Sequence, residues 1–255
     1  MSRWFAELAR ATTPMGDAVL RRRLEPTLEI DVFEVMLGGE GLMSSLFTAG
    51  EEALARLGLA ATTGDELDVL VAGLGLGHTA HAALQDPRVR SLHVVDALAA
   101  VIEWHRQGLT PLGPELTNDP RCTLVHGDFF ALVDQGRLVP GGESPDRFDV
   151  ILVDIDHSPV DRLDDGHAGF YEPDGLRRLA DQLRPGGVFA LWSNDAPDDA
   201  FLATLRAVFA RAEAPVVSFP NFLIDGQSHS TIYVAISGDE PAPARYGGDD
   251  ADLPR

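Results

Sequence analysis

The chain has 255 residues, 45% of them hydrophobic and 24% charged, enough for one good-sized core and a small annex. Its formal net charge of −20 argues against a nucleic-acid backbone as partner, and no apolar run approaches the ~18 residues of a membrane span. All 20 basic residues are arginine, which excludes a P-loop and a pyridoxal enzyme, because each needs a lysine.

The chain begins without the long apolar core of a signal peptide, so a cytoplasmic location is the expectation. Residues 1–62 read as an N-terminal annex. Short helices are expected at 4–10 and 17–23, the second presenting Arg21-Arg22-Arg23 on a solvated face. Residues 28–37 have strand character, and Gly38-Gly39-Glu40-Gly41 turns the chain into 42–47, predicting a β-hairpin. Thr48 followed by Glu51 has the spacing of a capping box ahead of a helix at 52–59.

From residue 63 to 237 strands and helices alternate, the pattern of a mostly parallel sheet covered on both faces. Strands are expected at 67–72, 91–95, 122–126, 148–153, 187–192, 214–219 and 230–236, seven in all. Helices are expected at 78–85, 97–107, 129–136, 171–183 and 198–211. The last two strands, separated by a short polar loop, suit an antiparallel pair. The single cysteine, Cys122, forbids an internal disulfide and cannot build a thiolate metal site. Residues 238–255 are rich in Gly, Pro and Asp without periodicity, and disorder is expected there.

The chemistry gathers around residues 67–96. A buried strand runs into Gly73, Gly75 and Gly77, then a helix, then a second strand ending on Asp96. Such glycines let backbone approach a ligand, and a terminal acid can accept from ribose hydroxyls. The dinucleotide fingerprint Gly-x-Gly-x-x-Gly is not met, because His78 stands where its third glycine belongs. Gly-x-Gly-x-Gly is the spacing associated with S-adenosylmethionine-dependent methyltransferases. Asp128, after the third strand, can accept from an adenine amino group while Phe129 packs on the ring. Asp154 ends the fourth strand and is followed by Asp156 and His157. These three are the catalytic candidates, His157 because imidazole titrates near neutral pH. Trp192 to Asp195, at the end of the fifth strand, are candidates for an acceptor pocket. No metal is expected, since nothing supplies further ligands beside Asp154, Asp156 and His157.

At these residues the chain resembles the spermidine synthases and their relatives, a family within the class I methyltransferase-like, Rossmann-like α/β fold. The resemblance covers residues 28–236. It rests on the hairpin, the Gly73–Gly77 loop, Asp-Pro-Arg at 119–121, Gly127-Asp128, Asp154, Phe170-Tyr171 and the 183–188 turn. It implies a cofactor cleft between annex and sheet, an aspartate at position 154 that helps deprotonate an attacking amine, and a homodimer. The chain departs from the family at Leu76, where the family carries an acid that holds the aminopropyl amine. It departs again at Gly50-Glu51-Glu52, which replaces Tyr-His-Glu, and at the hairpin glutamine, which falls on Leu42.

These departures point first to a methyltransferase acting on a small molecule with S-adenosylmethionine. The alternative is aminopropyl transfer from decarboxylated S-adenosylmethionine to an amine, with Asp156, Glu51 or Glu52 replacing the lost contact. A non-catalytic protein that binds an adenosyl ligand is the third reading.

Overall fold

Three consecutive arginines decide the annex. A helix would spread Arg21, Arg22 and Arg23 around its circumference, whereas a strand places the outer two on one face. The second arrangement forms, in a computed structural model that describes residues 4–141 and 145–238. Most of the expected disordered segment 238–255 lies outside the described residues. Strand β2 (Gly16–Glu25) is antiparallel to both β1 (Phe5–Thr13) and β3 (Ile30–Leu37). Arg21 and Arg23 both donate to Glu34 across the β2–β3 pair, at 2.6 and 2.9 Å, and Arg22 pairs with Asp31. Ala18 and Leu20, two apart, turn into the core. The helices expected at 4–10 and 17–23 are therefore strands, because cross-strand charge pairs and burial at period two outweigh the helix propensity of Arg and Leu. With β4 (Glu40–Ser44) they make a four-stranded antiparallel sheet in chain order, an enlargement of the expected hairpin.

Helix α1 (Ala49–Ala60) joins the annex to the main sheet. The expected capping box does not form: Thr48 Oγ1 donates to Glu52, four residues on, and caps no backbone N–H. Then follow β5 (Leu67–Ala72), α2 (His78–Leu84), β6 (Val89–Asp96), α3 (Ala99–Arg106), α4 (Gly113–Asn118), β7 (Cys122–His126), α5 (Phe129–Gln135) and β8 (Phe148–Val153). After a 3-10 turn at Asp165–Phe170 come α6 (Pro173–Ala180), β9 (Leu183–Ser193), α7 (Asp199–Val208), β10 (Arg211–Glu213), β11 (Val216–Asn221) and β12 (Gly226–Ile236). The sheet order is β10-β12-β9-β8-β5-β6-β7, with β11 also on β12, and β5 to β9 are mutually parallel. The expected antiparallel pair at the C-terminal edge is β11–β12. The expected strand at 214–219 is β11, and the short β10 at the end of the expected helix 198–211 was not expected, making eight strands where seven were expected.

All six residues of β5 are buried, as a strand covered on both faces requires. Val69 and Val71 face one core, under α1, α2 and α3 and reaching the annex through Leu20 and Val35. Leu70 and Ala72 face the other, under α5, α6 and α7. Two Asp-Pro-Arg turns tie helix ends to strand starts. Arg88 grips Asp86 and donates to the Leu59 and Thr62 carbonyls at the end of α1, while Arg121 grips Asp119 and donates to Leu84 at the end of α2. Those carbonyls lack intrahelical partners, so the guanidinium supplies what a C-cap would. Among the described residues no helix is long and apolar enough to cross a membrane.

At the amino ends of the parallel strands Asp68 is 3% exposed at its side chain. It accepts from Arg90, from Ser91 Oγ at 2.7 Å and from Arg184 at 2.7 Å. Arg184 also holds Asp149, whose carboxylate accepts from the Asp68 N–H at 2.8 Å. Burial pushes the Asp68 carboxyl up, and the hydrogen bonds from Arg90, Ser91 and Arg184 outweigh it, leaving its pKa lowered. Asp68→Asn is expected to lower urea-unfolding stability by about 2 kcal/mol at pH 7, less than for a fully buried pair because the guanidiniums are partly solvated. A lowered folded-state pKa means the contribution is lost as pH falls through it. The gap between variant and native protein should therefore close in acid.

Candidate active site

The chain runs outward from β5 in two directions, through β6 to β7 and, later, through β8 to β9. Beyond the carboxyl ends of β5 and β8 lies the switch point where open α/β sheets bind ligands. Gly73, Gly75 and Gly77 occupy it with φ of +97°, +49° and +92°, backbone that L side chains rarely adopt. What each hydrogen faces differs. A Cβ on Gly73 would lie 2.0 Å from the Asp154 carbonyl oxygen, and one on Gly77 would lie 2.6 Å from Leu116. Those two glycines bring the loop against its own protein. Only Gly75 faces the annex, where Met43 of β4 meets it. Leu76, between them, is fully buried in the first core, so no acid from this loop enters the cleft.

Asp96 closes β6 beside the loop. Its two carboxylate oxygens accept from Leu74 N at 2.8 Å and Leu98 N at 2.7 Å, and burial pushes its pKa up. Asp128 is the N-cap of α5, with Oδ1 accepting from Phe130 N and Ala131 N at 3.0 and 3.2 Å, and is exposed. Phe129 does not present its ring to a ligand. It is 2% exposed in the second core, edge-on to Phe130 and Phe170 at 5.6 Å each. The half-buried ring here is Phe130, stacked on His167 at 3.8 Å.

The three catalytic candidates separate. Asp156 is 1% exposed and accepts from Tyr171 Oη at 2.8 Å, His167 Nδ1 at 2.9 Å and Leu163 N at 2.9 Å. It is spent anchoring the loop between β8 and α6, and the expectation that it handles the nucleophile is corrected on that ground. His157 is half-buried on the wall of a cavity of about 350 Å³ between annex and loop. Glu40, Leu37, Leu42, Leu163 and Asp164 are among the cavity's other lining residues. Trp192 turns from the cavity into the space above Gly50, where a Cβ would lie 2.4 Å from its Nε1.

Asp154 alone stands at the loop with a polar partner across it. Its Oδ2 accepts from Thr79 Oγ1 at 2.7 Å, and the same hydroxyl lies 3.5 Å from the Glu51 carbonyl oxygen. Burial pushes the Asp154 carboxyl up against the hydrogen bond from Thr79. The Glu51 carboxyl on α1 is pushed up to about 8, first by burial and next by the Asp154 charge. Two half-buried carboxylates from different parts of the chain thus lie close enough for the charge of one to act on the other. Sequence reasoning gave Glu51 to a capping box, and the signal against that was Glu52, equally able to take the Thr48 hydroxyl. Thr79 was not singled out; its place two residues past Gly77, in the first turn of the following helix, was the available clue.

The sequence pattern of the spermine/spermidine synthase domain matches residues 48–221, about two thirds of the chain. The chain belongs to that family. The matched segment starts at the residue before α1 and leaves the annex sheet outside it. The chain is 32% identical to polyamine aminopropyltransferase 2 of Pseudomonas aeruginosa over 163 residues, 61% of this chain and 43% of the relative. It is 25% identical to the polyamine aminopropyltransferase of Pyrobaculum islandicum over 169 residues, 66% of this chain and 55% of that one. The chain spans about half the length of the curated relatives it matches. Its fold is shared with a spermidine synthase solved with the transition-state analogue AdoDATO (TM-score 0.66, 22% identity, covering 92% of this chain and 75% of that one). Thermotoga maritima spermidine synthase is similarly related (TM-score 0.64, 20% identity, 92% and 73%). Because these coverages exceed nine tenths of the chain, the annex belongs to the shared fold. The same findings overturn the expectation of a small-molecule methyltransferase using S-adenosylmethionine, since the relatives are aminopropyltransferases.

Gly73→Ala should cost about 3 kcal/mol or more, from left-handed strain plus the clash with the Asp154 carbonyl. Gly39→Ala, with a φ of +96° but nothing within 4 Å, should cost only the strain, about 1–2 kcal/mol, in the same denaturation series. The carboxylate pair gives a pH signature. Both pKa values are raised on folding, so stability is full in acid and falls as pH rises through about 8. Glu51→Gln should flatten that decline between pH 5 and 8 in thermal melts; an unchanged slope would place the titrating group elsewhere.

Proposed function

We propose that this chain transfers the aminopropyl group of decarboxylated S-adenosylmethionine to a small-molecule amine. One observation carries the reading: the Glu51–Asp154 pair beside the glycine loop. A buried ammonium needs carboxylate partners, and two desolvated carboxylates that resist ionising together gain by admitting a cation. Glu51 would thus do from α1 what an acid at position 76 would do from the loop. It is also one of the groups the departures from the family left open for this task.

On the donor side, Asp96 accepts from the Leu74, Leu98 and Gly75 N–H groups and keeps acceptor capacity for a ribose hydroxyl. Asp128 has an exposed carboxylate oxygen beyond the one engaged in capping, suited to an adenine amino group. On the acceptor side, the cavity between annex and loop pairs aliphatic walls from Leu37, Leu42 and Leu163 with carboxylates from Glu40 and Asp164. A methylene chain bearing ammonium groups has the same alternation. The charge of −20 favours approach of such a cation.

In the transfer, the acceptor nitrogen attacks the carbon next to the sulfonium. A C–N bond forms, the C–S bond breaks and methylthioadenosine leaves with the electron pair. Asp154 accepts the proton that the new secondary ammonium, or the incoming ammonium, gives up. Placement in line by Glu51 and the cavity wall supplies much of the remaining acceleration.

The test follows methylthioadenosine release from decarboxylated S-adenosylmethionine with 1,4-diaminobutane or N-(3-aminopropyl)-1,4-diaminobutane as acceptor. Asp154→Asn should lower kcat by about 10²–10⁴, the range for a positioned base. Glu51→Gln should raise the donor KM more than it lowers kcat. Tight methylthioadenosine binding without turnover of any linear amine would leave only adenosyl binding and overturn the reading.

A further inference from the structure

Strand β4 carries a feature that neither the family match nor the transfer chemistry uses. Opposite it, β3 pairs Val35 with Met43 and Met36 with Gly41, so Leu42 is an extra residue at a register shift. Such a bulge re-aims the neighbouring side chain, and bulges recur next to active sites. Here it turns Met43 onto the glycine loop. The thioether sulfur and methyl carbon fill the space in front of Gly75, where a Cβ would lie 2.1 and 2.4 Å from them. The same sulfur is the acceptor for the Leu76 N–H. Of the three glycines this is the one that faces the cleft, and its neighbour's N–H is thereby spent on protein.

A thioether is a weak acceptor, and methionine has three rotatable bonds, so this partner is cheaply exchanged for another. β4 is a five-residue edge strand of the annex sheet, next to a turn whose Gly38 and Gly39 both have positive φ. The fold has placed a movable sulfur side chain on the ligand-facing surface of its nucleotide loop.

We propose that Met43 is a donor-selecting residue. Its thioether holds, on Gly75 and the Leu76 N–H, the place taken by the sulfonium and its alkyl arm, and it is displaced when an adenosyl ligand enters. This rests on the adenosyl reading above. It adds that selection at the loop is made by a side chain of the annex, with Leu76 as an apolar floor.

The chain's four methionines, Met1, Met15, Met36 and Met43, make the test direct. The protein is labelled with 13C-methyl methionine, the Met43 signal is assigned from Met43→Leu, and methylthioadenosine is titrated in. The Met43 methyl signal should move with saturation while Met36 stays in place. Met43→Ala should bind methylthioadenosine at least threefold tighter, because nothing has to be displaced. Saturable binding with an unmoved Met43 signal, or weaker binding by Met43→Ala, would overturn the proposal and leave the adenosyl reading standing. Binding by Met43→Ala alone would support it. Binding by neither protein would overturn both.

Discussion

The site depends on one contact between adjacent parallel strands. At the ends of β5 and β8 the Asp154 N–H donates to the Ala72 carbonyl at 2.8 Å, and the Asp154 carbonyl in turn lies against Gly73. Any side chain at position 73 would push the two strand ends apart. With only a hydrogen there, the backbone of the loop and that of Asp154 meet at van der Waals distance, and the Asp154 carboxylate rises beside the first turn of α2. Thr79 then reaches it, and α1, packed on α2, brings Glu51 to the other side of the same hydroxyl. A register one residue different in β8 would turn Asp154 into the sheet face and leave the loop without a charge.

On the proposed reading, that arrangement would let the chain dispense with an acid in the loop itself. Leu76 is fully buried in the first core with Leu116 and Ile102, and a carboxylate there would have to be desolvated. Glu51, by contrast, sits in the first turn of α1, where the helix dipole favours a negative charge. The dipole opposes, though it does not cancel, the burial and the Asp154 charge that push its pKa up. On that reading, an acid on the helix rather than in the loop would make the site dependent on the position of α1. α1 in turn is packed on β8, β9 and β12 through Gly58, whose hydrogen meets Leu152.

Legibility in the sequence followed burial. β5 and β8 could be delimited to the residue, because strands covered on both faces are apolar runs ended by glycine or aspartate, while β7, an edge strand, was delimited by the Gly127-Asp128 that follows it. The annex could not be delimited. Its strands are half-exposed, and the pairing of Arg21 and Arg23 with Glu34 only exists once β3 is alongside. Short α4 was missed because its six residues, Gly113–Asn118, hold one Gly and one Pro and too few turns for a period to show. At the candidate site, the positions of Asp96, Asp128 and Asp154 at or just past strand ends were legible from the sequence. Asp156 was misjudged because alternation along a loop says nothing about burial: its partners, His167 and Tyr171, lie 11 and 15 residues further on.

The two ends of the sheet hold their carboxylates in opposite ways. At the amino ends Asp68 and Asp149 are saturated by Arg90 and Arg184, and the lowered pKa of Asp68 records a charge already satisfied. At the carboxyl ends the Asp154 carboxylate accepts from the Thr79 hydroxyl, and among the described residues no guanidinium pairs with Asp154 or Glu51. Their raised pKa values record charge that the fold leaves unsatisfied. On the proposed reading, a Glu51–Asp154 pair that no described arginine neutralises is left to an incoming cation.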